Sequence, residues 1–133
     1  MQAMSAGSKP VGQVHPRSIA LLRQKGITAD GYYSKSWDAL PIKPDIVITV
    51  CGNAAGEACP AYLGKAVRAH WGLEDPAMAT GKDAEIDAAF ETAYLILRKR
   101  IEVFLALDLI GFKTPEALAL QLEKIGLLLW KVF

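Results

Sequence analysis

Residues 45–50 read Asp-Ile-Val-Ile-Thr-Val, a β-branched, almost unbroken apolar run that ends on a cysteine, Cys51. Branching at Cβ suits the pleated surface of a sheet and disfavours a helix. An apolar run without alternation predicts a central parallel strand covered on both faces. Cys51 opens a Gly/Ala-rich loop over residues 52–59. A second strand is expected at 66–71, Ala-Val-Arg-Ala-His-Trp, feeding the loop Gly72-Leu73-Glu74-Asp75-Pro76. Residues 3–7 read as a short strand end running into a Gly-Ser turn.

Helical patterns separate and follow these strands. His15-Pro16 opens one, with proline in the tolerated first turn, an apolar face of Ile19, Leu21 and Leu22, and Gly26 at its end. Residues 27–40 read as a loop with a short helical turn. From about Asp83 to Ala106, the residues Ile86, Phe90, Ala93, Tyr94, Leu97, Ile101, Phe104 and Leu105 recur at spacings of three and four. Residues 108–113 break the pattern. Thr114 and Pro115 then supply an N-cap and first turn for a helix ending near Gly126. Strands alternating with helices define the fold class as α/β, with a parallel sheet flanked by helices. Ligands of such sheets gather at the C-terminal ends of the strands, where both Cys51 and Asp75 are expected.

With 52% hydrophobic and 22% charged residues, a chain of 133 residues can bury one core. Its net charge of +1 comes with scattered Lys and Arg, so no basic stripe offers a nucleic-acid footprint. The longest apolar stretches, 103–107 and 126–130, fall far short of a membrane span, and the first residues carry no signal core. A cytoplasmic protein is expected. Two cysteines and two histidines, His15 and His70, do not form a zinc-site spacing, and neither metal nor cofactor is expected.

The chemistry-bearing residues each have a plain alternative. Cys51 and Cys59 lie eight residues apart across a flexible loop, within reach of a redox disulfide. The alternative is a buried structural thiol and an incidental one. Neither starts an oxyanion-binding Cys-x5-Arg loop, because the sixth following residue is Glu57 in one case and Lys65 in the other. Asp75 in a loop after a strand suits a general acid, while Asp75-Pro76 is also ordinary turn chemistry. His70 reads as a packed core residue, His15 as a helix-start residue, and Arg98-Lys99-Arg100 as a solvated face. The apolar tail 127–133 reads either as a helix end docked on the core or as a partner-binding patch.

Several segments in order resemble one family. Ser5-Ala-Gly-Ser-Lys-Pro with His15-Pro16, Ser34-Lys35-Ser36-Trp37-Asp38, the run from Asp45 to Cys51, Ala55-Gly-Glu-Ala-Cys59-Pro60, and His70-Trp71-Gly72-Leu73-Glu74-Asp75-Pro76 are similar to arsenate reductases of the low-molecular-weight protein tyrosine phosphatase type. The resemblance implies a low-molecular-weight phosphatase-like (phosphotyrosine phosphatase I-like) fold. It also implies a mechanism in which a P-loop cysteine forms an arsenyl adduct. Cys51 then attacks that sulfur and arsenite leaves; Cys59 takes over the bond, and thioredoxin or a glutathione/glutaredoxin-type thiol reduces the resulting disulfide. Asp75 would protonate the leaving oxygen.

The family's first strand and P-loop have no match in these residues, which match it from the second strand onward. The expectation is therefore a truncated reductase-like domain over residues 1–107 and a C-terminal helical extension over 108–133, inactive alone. Association as a homodimer through exposed strand edges or the tail is a further expectation. A non-catalytic dithiol or arsenite-binding module, or a pure interaction domain, is the alternative.

Overall fold

Strand β1 (Ile46–Thr49) and strand β2 (Val67–His70) pair in parallel, in the register Ile46↔Val67 through Thr49↔His70. This is the sheet of the computed structural model, which describes residues 1–7, 12–50 and 66–128. Main-chain bonds extend the pairing beyond both ends: Val67 N–H donates to Asp45 O at 2.9 Å and Trp71 N–H to Thr49 O at 2.7 Å. Three α-helices accompany the strands among the described residues: α1 (Pro16–Gln24), α2 (Asp83–Leu105) and α3 (Pro115–Ile125).

The two strands place their side chains by alternation. Ile46, Ile48, Val67, Ala69 and Trp71 turn to one face and meet Leu118, Leu122 and Ile125 of α3. These three helix residues recur at spacings of four and three, so one stripe of α3 is apolar and buried. Thr114 caps the helix by accepting from Ala117 N–H at 3.1 Å, and Pro115 occupies the first turn, as the sequence predicts. Trp71 is the centre of the core: 3% exposed, edge-on to Phe104, its indole Nε1–H donating to Leu122 O at 2.8 Å. Burying a ring of this size removes on the order of 200 Å² from water, worth about 5 kcal/mol at 25 cal/mol per Å².

Helix α3 also covers the outer edge of β2. A bare edge would offer unpaired main-chain groups to another chain. Here His70 N–H donates to Glu123 Oε1 at 3.0 Å, and Gly126 lies against the same strand. A Cβ on Gly126 would stand 2.7 Å from Trp71 Cδ1 and 2.9 Å from His70 O, so close approach, and not backbone angle, requires glycine there. Residues 108–133, read from sequence as an extension, thus contribute a helix that completes the core.

Three expectations need correction. The run at 45–50 predicts a strand covered on both faces, yet all four residues of β1 are only half-buried, and among the described residues β2 is its one sheet neighbour. The strand end expected at 3–7 is reduced to a single parallel bridge, Gly7 to Ser36, with Gly7 N–H on Lys35 O and Trp37 N–H on Gly7 O. Lastly, Arg100 does not join a solvated face but is fully buried, while Ile101 and Leu105 of the predicted apolar stripe are 45% and 60% exposed. The buried line of α2 runs through Phe90, Ile96 and Arg100, rotated from the one that apolar residues alone suggest.

Helix α1 docks differently from the others. It starts on His15, whose Nδ1 accepts from Arg17 N–H. It ends at Gly26, whose φ of 75° lets Ile27 N–H reach Leu22 O and Gly26 N–H reach Arg23 O, a Schellman closure. None of its residues is buried. It is held on α2 by Arg17 to Asp83 and Asp87, and by Lys25 to Glu91 at 2.6 Å. Those three acids are spaced by four along one stripe of α2. The His15 ring adds a contact to Phe90 at 4.8 Å.

Two outcomes are expected from this packing. Leu122→Ala should cost about 2–5 kcal/mol in denaturant unfolding, and Gly126→Ala about 1–3 kcal/mol by overpacking. Raising salt to about 0.5 M, which screens exposed pairs, should accelerate amide exchange in α1 well before that in α3. Equal acceleration in both helices would show that α1 is held by something other than charge.

Candidate active site

Because β1 and β2 run parallel, their C-terminal ends emerge on the same side of the sheet, the usual ligand side of an α/β domain. Cys51 follows β1 there by two residues, but it and Cys59 lie outside the described residues, as do residues 129–133 of the apolar tail. What is described at this end is the root of the Cys51 loop and the whole segment from Trp71 to Ala79. A hydrogen bond from Leu73 N–H to Val50 O, at 3.3 Å, stitches the two together one residue before Cys51.

Asp75 stands at the turn of that segment. Its Oδ1 accepts from Ala77 N–H at 2.9 Å and caps the 3-10 turn Pro76–Met78, with Pro76 in the first position. The turn chemistry of Asp-Pro and a carboxylate set at a strand's C-terminal end are therefore both present in one residue. Asp75 is exposed and, with its neighbour Glu74, lines an open groove of about 620 Å³. Leu73, Pro76 and Met78 form its other loop wall, and Ala89, Thr92, Ala93 and Ile96 of α2 form the floor. Small residues at 89 and 93 keep the helix surface back and leave room between helix and loop.

One turn along α2 from Ile96 sits Arg100. It is completely shielded from solvent, yet no carboxylate pairs with it among the described residues. Its Nη1 donates to Trp71 O and to Gly72 O, both at 3.2 Å, and its Nε donates to Leu128 O at 3.0 Å. Nη2 has no hydrogen-bond partner among the described residues. Burial pushes the guanidinium down from its ordinary value, though such a group stays charged at any working pH. The sequence reading missed this residue because charge pointed it outward. The available signal was position: Arg100 falls four residues after Ile96 and four before Phe104, on the inward line of α2.

The histidines take structural places. His70 is half-buried, its Nδ1 2.7 Å from Thr49 Oγ1 across the register pair, on the sheet face opposite the core. His15 caps α1, as its place before Pro16 suggests. No group of three or more His, Cys, Asp or Glu among the described residues is arranged to hold a metal ion, and none of the described helices is long and apolar enough to cross a membrane.

The chain can be compared with known proteins on this basis. The model of the low molecular weight phosphotyrosine protein phosphatase family matches residues 1–111. An arsenate reductase of Halalkalibacterium halodurans is 39% identical over 101 residues, covering 75% of this chain and 71% of that protein. The arsenate reductase of Bacillus subtilis is 32% identical over the same length and shares. Arsenate reductase 1 of Staphylococcus epidermidis is 37% identical over 98 residues, 66% of this chain and 70% of that protein. Helix α3 lies beyond the matched family region.

The two readings of Asp75 separate by substitution. Asp75→Ala removes the cap on Ala77 N–H and should cost about 1 kcal/mol in thermal unfolding. Asp75→Asn keeps an acceptor oxygen and should leave stability nearly unchanged while removing the acid. A loss of equal size in both variants would mean that the charge itself, and not the cap, stabilises the turn.

Proposed function

We propose that this chain, which belongs to the low molecular weight phosphotyrosine protein phosphatase family, carries the redox-cysteine and acid-loop part of an arsenate reductase. Arsenate is the substrate and arsenite the product. The observation that carries the reading is the Leu73 N–H to Val50 O bond at the C-terminal end of the parallel pair. It holds the root of the Cys51 loop beside the segment that bears Asp75. A thiol relay and a proton donor need this arrangement around a single oxyanion.

The steps balance as a two-electron reduction. A cysteine thiolate in a Cys-x5-Arg loop displaces an oxygen of arsenate, with Asp75 donating the proton that oxygen takes as it leaves. Cys51 attacks the arsenic-bearing sulfur; the sulfur–arsenic electron pair passes to arsenic, and arsenite departs. Cys59 then attacks Cys51, freeing the first thiol and leaving a Cys51–Cys59 disulfide. Thioredoxin or a glutathione/glutaredoxin-type thiol returns that disulfide to two thiols. The 133 residues contain no Cys-x5-Arg, so the first step is assigned to a loop of that kind joined to them.

The test is thiol-dependent arsenite production by the 133-residue polypeptide and by the same polypeptide joined to a strand–Cys-x5-Arg–helix unit. Only the joined form should turn over. Within it, Cys51→Ser should abolish arsenite release, and Cys59→Ser should hold release to about one turnover. Asp75→Asn should slow the reaction by about 100-fold, the usual lower range for a lost general acid. Turnover by the 133 residues alone would make Cys51 or Cys59 the arsenate nucleophile and overturn the assignment of roles.

A further inference from the structure

The chemistry proposed above makes no use of Arg100, although among the described residues this is the buried charge. Its Nη1 addresses two successive carbonyls of one short stretch of chain. Trp71 and Gly72 are the first two residues after β2, and only Leu73 and Glu74 separate Gly72 from Asp75. We propose that Arg100 is a positioning residue for Asp75, fastening the root of the acid loop to the end of helix α3.

The restraints follow one another along the chain from Trp71 to Asp75. Trp71 N–H is held by Thr49 O, Trp71 O and Gly72 O by Arg100 Nη1, Leu73 N–H by Val50 O, and the Asp75 carboxylate by Ala77 N–H. On the other side of the guanidinium, Nε reaches Leu128 O, three residues past the end of α3. That carbonyl lies beyond the region shared with the family, which ends at residue 111. The C-terminal segment of this chain therefore takes part in setting where the acid stands. Arginine suits the place because its planar fork presents several donors at fixed angles, whereas the single ammonium of lysine cannot address both directions at once.

This inference rests on the reading of Asp75 as the acid, but its test needs no turnover, so the two can fail separately. The full 133-residue chain, uniformly 15N-labelled, is compared with Arg100→Met and Arg100→Lys by amide hydrogen exchange. Leu73 N–H reports the loop, and Ala69 N–H, within β2, reports the core. In Arg100→Met the exchange rate of Leu73 relative to Ala69 should rise at least about tenfold, and in Arg100→Lys about threefold, because the lysine replaces part of the donor set.

The Ala77 amide supplies a second signature: its exchange relative to Ala69 should also quicken in Arg100→Met as the Asp75 carboxylate loses its fixed seat. An unchanged ratio, or equal acceleration at Leu73 and Ala69, would make Arg100 a core residue only and overturn the proposal. If Arg100→Met does not fold, Arg100→Lys decides alone, and a ratio equal to the native one overturns it.

Discussion

A buried guanidinium with no carboxylate partner among the described residues imposes order on what surrounds it. Taking such a charge out of water is costly unless hydrogen bonds replace the lost hydration. Arg100 obtains that replacement from three main-chain carbonyls, those of Trp71, Gly72 and Leu128. Carbonyl oxygens cannot move independently of the backbone that carries them. Solvating the charge therefore fixes the relative positions of the strand end, the loop root and the chain beyond α3. The contact also serves Trp71 O, a buried acceptor that needs a donor.

Trp71 is the complementary half of this junction. Its main chain belongs to the sheet and to Arg100, while its ring fills the core and its indole N–H bonds to the main chain of α3. One residue thus transmits packing on the buried face of the sheet to the loop that follows it. Gly126 makes the approach of α3 close enough for this, and Glu123 adds a bond to the strand's free edge. A change in the fit of α3 would be felt at the Asp75 loop before it reached β1.

The elements whose signals are local were legible in the sequence. The Thr114-Pro115 start, the His15-Pro16 start and the Gly26 end each depend on a few adjacent residues, and each appears where the pattern puts it. Both strands emerge one residue shorter at each end than expected, the ordinary uncertainty of termini. The apolar run of β1 did not translate into full burial, because composition reports what a strand could bury and not which neighbours cover it. Asp75 was singled out by its place after a strand and by family resemblance. Arg100 was not, because a hydrophobicity pattern counts any charge as outward, and the carbonyls that receive it lie about 28 residues away along the chain on either side.

The dependence of the core on α3 has a consequence for synthesis. The stripe Leu118, Leu122 and Ile125 is translated after every residue it covers, and the bond from His70 to Glu123 spans 53 positions. During vectorial synthesis the inner face of the sheet, Trp71 included, leaves the ribosome without its cover, and long-range closure of this kind is slow. Helix α1, none of whose residues is buried, gives the nascent chain little shelter meanwhile. The molecule therefore reaches its native packing late, in a step that closes the core and seats the Asp75 loop at the same time.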